Sequence, residues 1–292
     1  MGLLDRLTSA LTGGKVDVRG RYEFLREAIS GTMSKFYMAR DRESGKIVGL
    51  KILDPAKTIA FEARFKGLKK PCEGEIVKSI SHPNVVQLLS YGTTLQNEHF
   101  VVMEFIDGPA LNSLVIGQSP LLEGRRVKMI RQMAEALRAV HQAGYIHRDV
   151  CPRNFMATPN GEVVKLIDFG LTVPATPPFM QPGNRTGTPN YMAPELVRRL
   201  ATDQRLDVFA FGASAYELCT FNLPWEKGTG DGLAAMSHGV APPAEITRYR
   251  PKINPQLGKA IMSCVEPVVA KRCASMEDFL KAIKDVKADD MA

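Results

Sequence analysis

The chain has 292 residues, long for one hydrophobic core and ordinary for a two-lobed domain, and its 45% hydrophobic and 24% charged residues exclude a disordered protein. An excess of 38 Lys and Arg over 31 Asp and Glu gives a net charge of +7, which suits phosphate-bearing or acidic partners; apart from Lys66, Lys69 and Lys70 the basic residues are scattered without interleaved aromatics, which argues against a nucleic-acid platform. The cysteines Cys72, Cys151, Cys219, Cys264 and Cys273 are odd in number, widely spaced and form no CxxC pair, which suggests neither a disulfide framework nor a zinc site, and no apolar run approaches the ~20 residues of a membrane span.

In chain order, residues 1 to about 20 read as a leader, with Leu3, Leu4, Leu7 and Leu11 on one helical face before Gly13 and Gly14. Two readings stay open for it: a frayed leader, or a helix that docks on a partner or touches a membrane through residues 3–11. Arg6 stands where the Gly2 myristoylation pattern requires Ser or Thr, and a signal-peptide pattern is absent, so the expected compartment is the cytoplasm.

Tyr22 to Ile29, Lys35 to Arg40 and Ile47 to Leu53 have β-type composition, the last two joined by a turn at Ser44-Gly45. A helix is expected from about Lys70 to Ile80, then strands over Val85 to Tyr91 and His99 to Glu104. Beyond residue 108 the period becomes helical: Ile130, Met133, Ala134, Leu137 and Val140 mark one face of a helix over about 124–143, ended by Gly144. Further helices are expected near 206–220, 256–266 and 275–286, the last opened by Ser275 with Asp278 three positions on.

The densest chemistry lies in HRDVCPRNF, residues 147–155, followed after a hairpin-length interval by KLIDFG, residues 165–170. Phosphoryl transfer needs one carboxylate to orient an incoming hydroxyl, and a second carboxylate with an amide oxygen to hold metal ions on the phosphates. Asp149, Asp168 and Asn154 suit those three roles.

With these motifs in this order, residues 21 to about 286 resemble the eukaryotic-type protein kinase family, Ser/Thr-like and similar to its soluble bacterial members. The resemblance implies an α+β bilobal kinase-like fold: a small antiparallel N-lobe sheet with one helix over about 21–104, a hinge at about 104–108, and a mainly helical C-lobe over about 109–286, leaving 287–292 as a tail. It implies ATP with Mg²⁺, or Mn²⁺ in its place, and protein substrates. By the same resemblance Lys51 binds phosphate, Glu73 pairs with it, Met103 is the gatekeeper, and Glu104 to Ile106 bind adenine through their backbone. Glu75 is the alternative to Glu73, which alone has Val77 and Ile80 at helical spacing.

GTPNYMAPE at 187–195 resembles the substrate-binding loop, with Glu195 expected to pair with Arg272, and Asp207 resembles the anchor of the catalytic loop. Arg148 before Asp149 marks members regulated by activation-segment phosphorylation, with Thr186 as first acceptor, Thr176 and Thr172 behind it, and Thr188 expected to bond near Asp149.

Two departures stand out. Only Gly31 remains of the glycine-rich loop, Ile29 and Ser34 taking the other places, which predicts weaker ATP binding. Cys151 replaces a lysine that touches the γ-phosphate, and Arg153 is expected to compensate. Cys151 itself reads as a space-filling residue or a redox-sensitive thiol. Two other readings follow from the same residues: a pseudokinase scaffold, favoured by the eroded lid, and a small-molecule phosphotransferase, disfavoured by GTPNYMAPE.

Overall fold

A computed structural model describes residues 15–30, 33–65, 67–183, 185–225, 234–238 and 240–290. Leu3, Leu4, Leu7 and Leu11 of the expected leader, Gly31 and Lys66 lie outside the described residues. The chain divides into two compact units: the described residues up to Ser81 with Val86–Ile106, and His82–Val85 with the described residues from Asp107 onward.

The first unit is a six-stranded sheet. Its elements are β1 (Lys15–Val16), a short helix α1 (Val18–Arg21), β2 (Tyr22–Ser30), β3 (Ser34–Asp41), β4 (Ile47–Leu53), helices α2 (Pro55–Glu62) and α3 (Glu73–Lys78), β5 (Leu88–Thr94) and β6 (His99–Glu104). Strand order is β1-β5-β6-β4-β3-β2, antiparallel except for β1, which runs parallel to β5. Within the stretch read as a leader, Lys15 and Val16 join the sheet by pairing with Thr93 and Thr94, and Val18 of α1 is buried in its core. The β3–β4 turn forms because Asp41 accepts from Glu43 N and Ser44 Oγ while Gly45 supplies φ +71°.

The twofold alternation of β-structure sorts the side chains. Val48 and Leu50 of β4 and Phe100 and Val102 of β6 enter one core with Val18, Tyr22 and Ala39. Lys51, Val101 and Met103 consequently face the other way, and Lys51 sits directly opposite Val101. Helix α2, not anticipated, starts on Asp54, which accepts from Lys57 N, with Pro55 at its first turn. Helix α3 is shorter than expected, beginning after Pro71 and capped where Glu75 Oε2 accepts from Cys72 N at 2.8 Å. Gly74 lets α3 lie close against β5, since a Cβ there would run into the Tyr91 ring.

The second unit contains α4 (Leu111–Ile116), α5 (Arg126–Gln142), β7 (Tyr145–Ile146), β8 (Phe155–Ala157), β9 (Val164–Leu166), β10 (Val173–Pro174), α6 (Pro194–Val197), α7 (Arg205–Thr220), α8 (Ala234–Ser237), α9 (Pro255–Cys264) and α10 (Met276–Ala282). Val85 bridges to Leu166 here, which is why β5 starts only at Leu88 instead of near Val85. Helix α7 is buried nearly all round; its hydroxyls return to the helix, Ser214 Oγ to Ala210 O and Thr220 Oγ1 to Tyr216 O.

Helix α10 opens on Ser275, whose Oγ accepts from Asp278 N, and ends at Ala282, short of residue 286. The expected tail is instead tied in: buried Asp289 accepts from Arg126 and Arg250, and Asn254 N donates to Asp289 O. Without that carboxylate the buried Arg126 guanidinium would lack its charge partner.

Candidate active site

In the first unit Lys51 Nζ donates to both Glu73 oxygens, at 2.7 and 2.9 Å, and the two residues are 6% and 5% exposed. The pairing follows from the strand alternation that turns Lys51 off the apolar core and from Gly74, which brings α3 in. Glu75 is spent on its own helix terminus. Lys70, read from sequence only as one of a group of lysines at the start of the expected helix, has its ammonium 5.5 Å from the Phe61 ring centre; burial lowers its pKa despite the opposing pull of Glu73.

Met103 is buried on the Lys51 face of β6. Glu104 N donates to Gln87 O at 3.0 Å and its carboxylate accepts from Gln87 N at 2.7 Å, so its side chain holds the start of β5. Ile106 is half-buried. Ser34 opens β3 opposite Leu53.

In the second unit two short ladders gather the chemistry. The β8–β9 hairpin pairs Phe155 with Leu166, which brings Asn154 beside Ile167, and Ile167 N donates to Asn154 O at 3.0 Å. The β7–β10 ladder pairs Ile146 with Val173 and closes the far side of the 147–172 stretch. Asp207, fully buried on α7, accepts from His147 N at 2.7 Å and Arg148 N at 2.8 Å, with His141 Nε2 at 3.0 Å. Burial alone would raise its pKa; the bonds from His141 and the loop amides outweigh it and hold the carboxyl below its usual value. His141 had no signal in sequence, because it lies far from residue 207 and reads as one more helix position.

The Asp149 carboxylate is held from both sides. Thr188 Oγ1 donates to Oδ1 at 2.7 Å, and Asn154 Nδ2 donates to Oδ2 at 3.0 Å and to Asp149 O at 2.7 Å. With its two amide protons on Asp149, Asn154 keeps Oδ1 as an oxygen ligand. Asp168 adds a carboxylate, its Oδ1 accepting from Gly170 N at 2.9 Å. One carboxylate and one amide oxygen suit a hard divalent cation that takes its other ligands from phosphate and water. No cluster of three or more His, Cys, Asp or Glu side chains able to hold a metal occurs among the described residues.

Arg153 Nη2 lies 3.2 Å from Thr188 Oγ1 and 3.7 Å from Asp149 Oδ2, its side chain 55% exposed. Cys151 is buried beneath, and desolvation, reinforced by Asp149, pushes its thiol up to about 12, which fits space-filling and not redox sensing. Gly187 has φ +129°, and a Cβ on it would meet Arg148 O at 2.8 Å, so the 187–195 segment can pass the loop at 147–154 only with glycine there.

Thr186 Oγ1 is buried without a hydrogen-bond partner among the described residues, and Thr172 is wholly buried. Arg272 grips Glu195 with two bonds of 2.7 and 2.9 Å. Two further contacts were not anticipated: Tyr191 OH donates to Glu217 at 2.5 Å, and His238 Nδ1 lies 2.7 Å from Met192 O. Both tie the 187–195 segment to the helices below it.

The family model described as protein kinase domain matches residues 22–282. The serine/threonine-protein kinase pkn3 of Myxococcus xanthus is 33% identical over 282 residues, covering 91% of this chain and 50% of the relative. The serine/threonine-protein kinase PknD of Mycobacterium tuberculosis is 32% identical over 270 residues, covering 91% and 40% respectively. Pkn1 of Myxococcus xanthus, also a serine/threonine-protein kinase, is 32% identical over 279 residues, covering 92% and 39%. The chain thus spans half or less of the length of these curated relatives. No helix among the described residues is long and apolar enough to cross a membrane.

Proposed function

Because the chain belongs to the protein kinase family, we propose that it transfers the γ-phosphoryl group of ATP to Ser or Thr hydroxyls of protein substrates. The observation that carries this reading is the Asp149 carboxylate, fixed by Thr188 on one oxygen and Asn154 on the other. A carboxylate restrained in this way orients an acceptor hydroxyl and takes its proton as the hydroxyl oxygen bonds to phosphorus and the bond to the β-phosphate oxygen breaks.

Lys51, held by Glu73, supplies positive charge for the α- and β-phosphates. Met103, Glu104 and Ile106 border the adenine, and Gly31 belongs to the lid. Asn154 and Asp168 would hold Mg²⁺ or Mn²⁺, which would neutralise phosphate charge. Arg153, exposed and beside Asp149, stands in for the lysine that Cys151 replaces.

Regulation through the activation segment goes with Arg148 and Thr186. The Thr186 hydroxyl is shielded, so accepting phosphate requires the segment to move first.

The test is transfer from labelled Mg²⁺-ATP to a generic protein acceptor, with Asp149→Asn beside the parent. Loss of a hundredfold or more, on the order expected for a general base, is the expected result. Equal labelling by both proteins overturns the assignment.

A further inference from the structure

Cys264 and Cys273 are two free cysteines that neighbour each other in the fold, near enough for each thiol to perturb the other. The proximity is built by the backbone. Cys264 ends α9, and after the intervening loop Cys273 N donates to Ser263 O at 3.0 Å, which sets the two residues side by side. Cys264 is fully buried against α7, where a Cβ on Gly212 would come 2.5 Å from its own Cβ; Cys273 is half-buried and its thiol reaches Ser275 O at 3.4 Å.

The geometry points to Cys273 and Cys264 as an oxidisable dithiol, a modification site that takes a hydroperoxide and closes to a reversible disulfide. The chemistry divides by accessibility. The Cys264 side chain draws the Cys273 thiol down to about 7, against partial burial and Asp278, whereas desolvation pushes Cys264 well up. Cys273 is therefore the attacking thiolate. Its sulfur displaces water from the peroxide by taking one oxygen and becomes a sulfenic acid, the second peroxide oxygen leaving as water with a proton from solvent. The neighbouring Cys264 thiol attacks that sulfur; the S–O bond breaks, a second water leaves, and the S–S bond forms. Two sulfurs lose two electrons in total and the peroxide O–O bond gains them.

The loop enclosed by the bridge contains Glu266 and Pro267, whose carbonyls accept from Arg272, the residue next to Cys273. Oxidation thus ties down the segment that cradles the Arg272–Glu195 pair.

The test uses the full chain under native conditions. It is treated with stoichiometric hydrogen peroxide, capped with N-ethylmaleimide and digested for mass spectrometry. A peptide pair linked through Cys264 and Cys273, lost on adding reductant, is expected. Before oxidation, Cys273 should alkylate at neutral pH on the order of tenfold faster than Cys72, whose thiol burial raises. In Cys264→Ser, Cys273 should accumulate as a dimedone-reactive sulfenic acid; Cys273→Ser, at the half-buried position, should leave Cys264 unoxidised. A bridge joining Cys273 to any other cysteine, no bridge at all, or equal alkylation of Cys72 and Cys273 overturns the proposal.

Discussion

Thr188 Oγ1 lies 2.7 Å from Asp149 Oδ1, and Arg153 Nη2 lies 3.2 Å from that same hydroxyl, so one threonine joins an exposed cation to the half-buried carboxylate. A hydroxyl has one proton; given to Asp149, it leaves the oxygen lone pairs to accept from Arg153. Thr188→Val removes the bond and keeps the shape. It should lower kcat about tenfold, equivalent to one hydrogen bond of about 1.4 kcal/mol, with KM for ATP little changed. Arg153→Ala should also lower kcat, since that side chain is assigned the role of the absent lysine. Steady-state kinetics decide both, and parental turnover in either variant refutes its assigned role.

The Lys51–Glu73 pair makes a separable prediction about stability. Removing one partner takes from the other its two-bonded counter-ion in a place that water barely reaches. Lys51→Met or Glu73→Leu alone should therefore cost about 3 kcal/mol, while the double variant should recover most of that loss. Calorimetric unfolding of the four proteins completes the cycle; additive losses in the double variant would mean the ions do not interact.

Arg272 uses every N–H it has. Nε donates to Glu266 O, Nη1 to Glu195 Oε1 and Arg205 O, and Nη2 to Glu195 Oε2 and Pro267 O. Lysine offers one point charge in place of this planar fork. Arg272→Lys should accordingly destabilise the protein by about 3 kcal/mol, and urea unfolding is the check. A lysine variant as stable as the parent would show that the charge alone matters.

His238 gives the pH dependence. Its ring centre is 4.6 Å from that of Trp225 and 5.5 Å from that of Phe209, and burial lowers its pKa below 6.5, opposed in part by the bond to Met192 O. The unfolded chain then takes up the proton at a higher pH than the folded one. The stabilisation is complete above about 6.5 and is lost as pH falls from there through the folded value. His238→Gln should flatten the decline in urea midpoint between about pH 7.5 and about pH 5.5. His82, also lowered by burial, contributes the same slope to both proteins. An unchanged slope in the variant would remove His238 from the account.

Much of this molecule could be read before any coordinates, and the failures have identifiable causes. The strands of the first unit and the long helices of the second follow from periods of 2 and 3.6, and Glu73 was separable from Glu75 by helical spacing alone. Helix α2 was passed over because only Thr58 and Phe61 turn inward, too few to register as a period, although Asp54-Pro55 carried a start signal. The strand start near Val85 was misplaced because an apolar run does not reveal which unit it enters. His141, Tyr191 and His238 act through partners distant in sequence, and no local pattern encodes such a bond.

Arg148 is a residue with φ +69°, and the bond from its backbone N–H to Asp207 holds it there. Glycine would adopt that conformation without the strain of about 1 kcal/mol or more that a Cβ brings. The path of the main chain thus asks for the smallest residue, yet the position carries one of the largest. A guanidinium kept where the backbone alone would favour a lone hydrogen gains its place through what its side chain does, and substitution by glycine would expose that bargain as a sturdier loop with its charge gone.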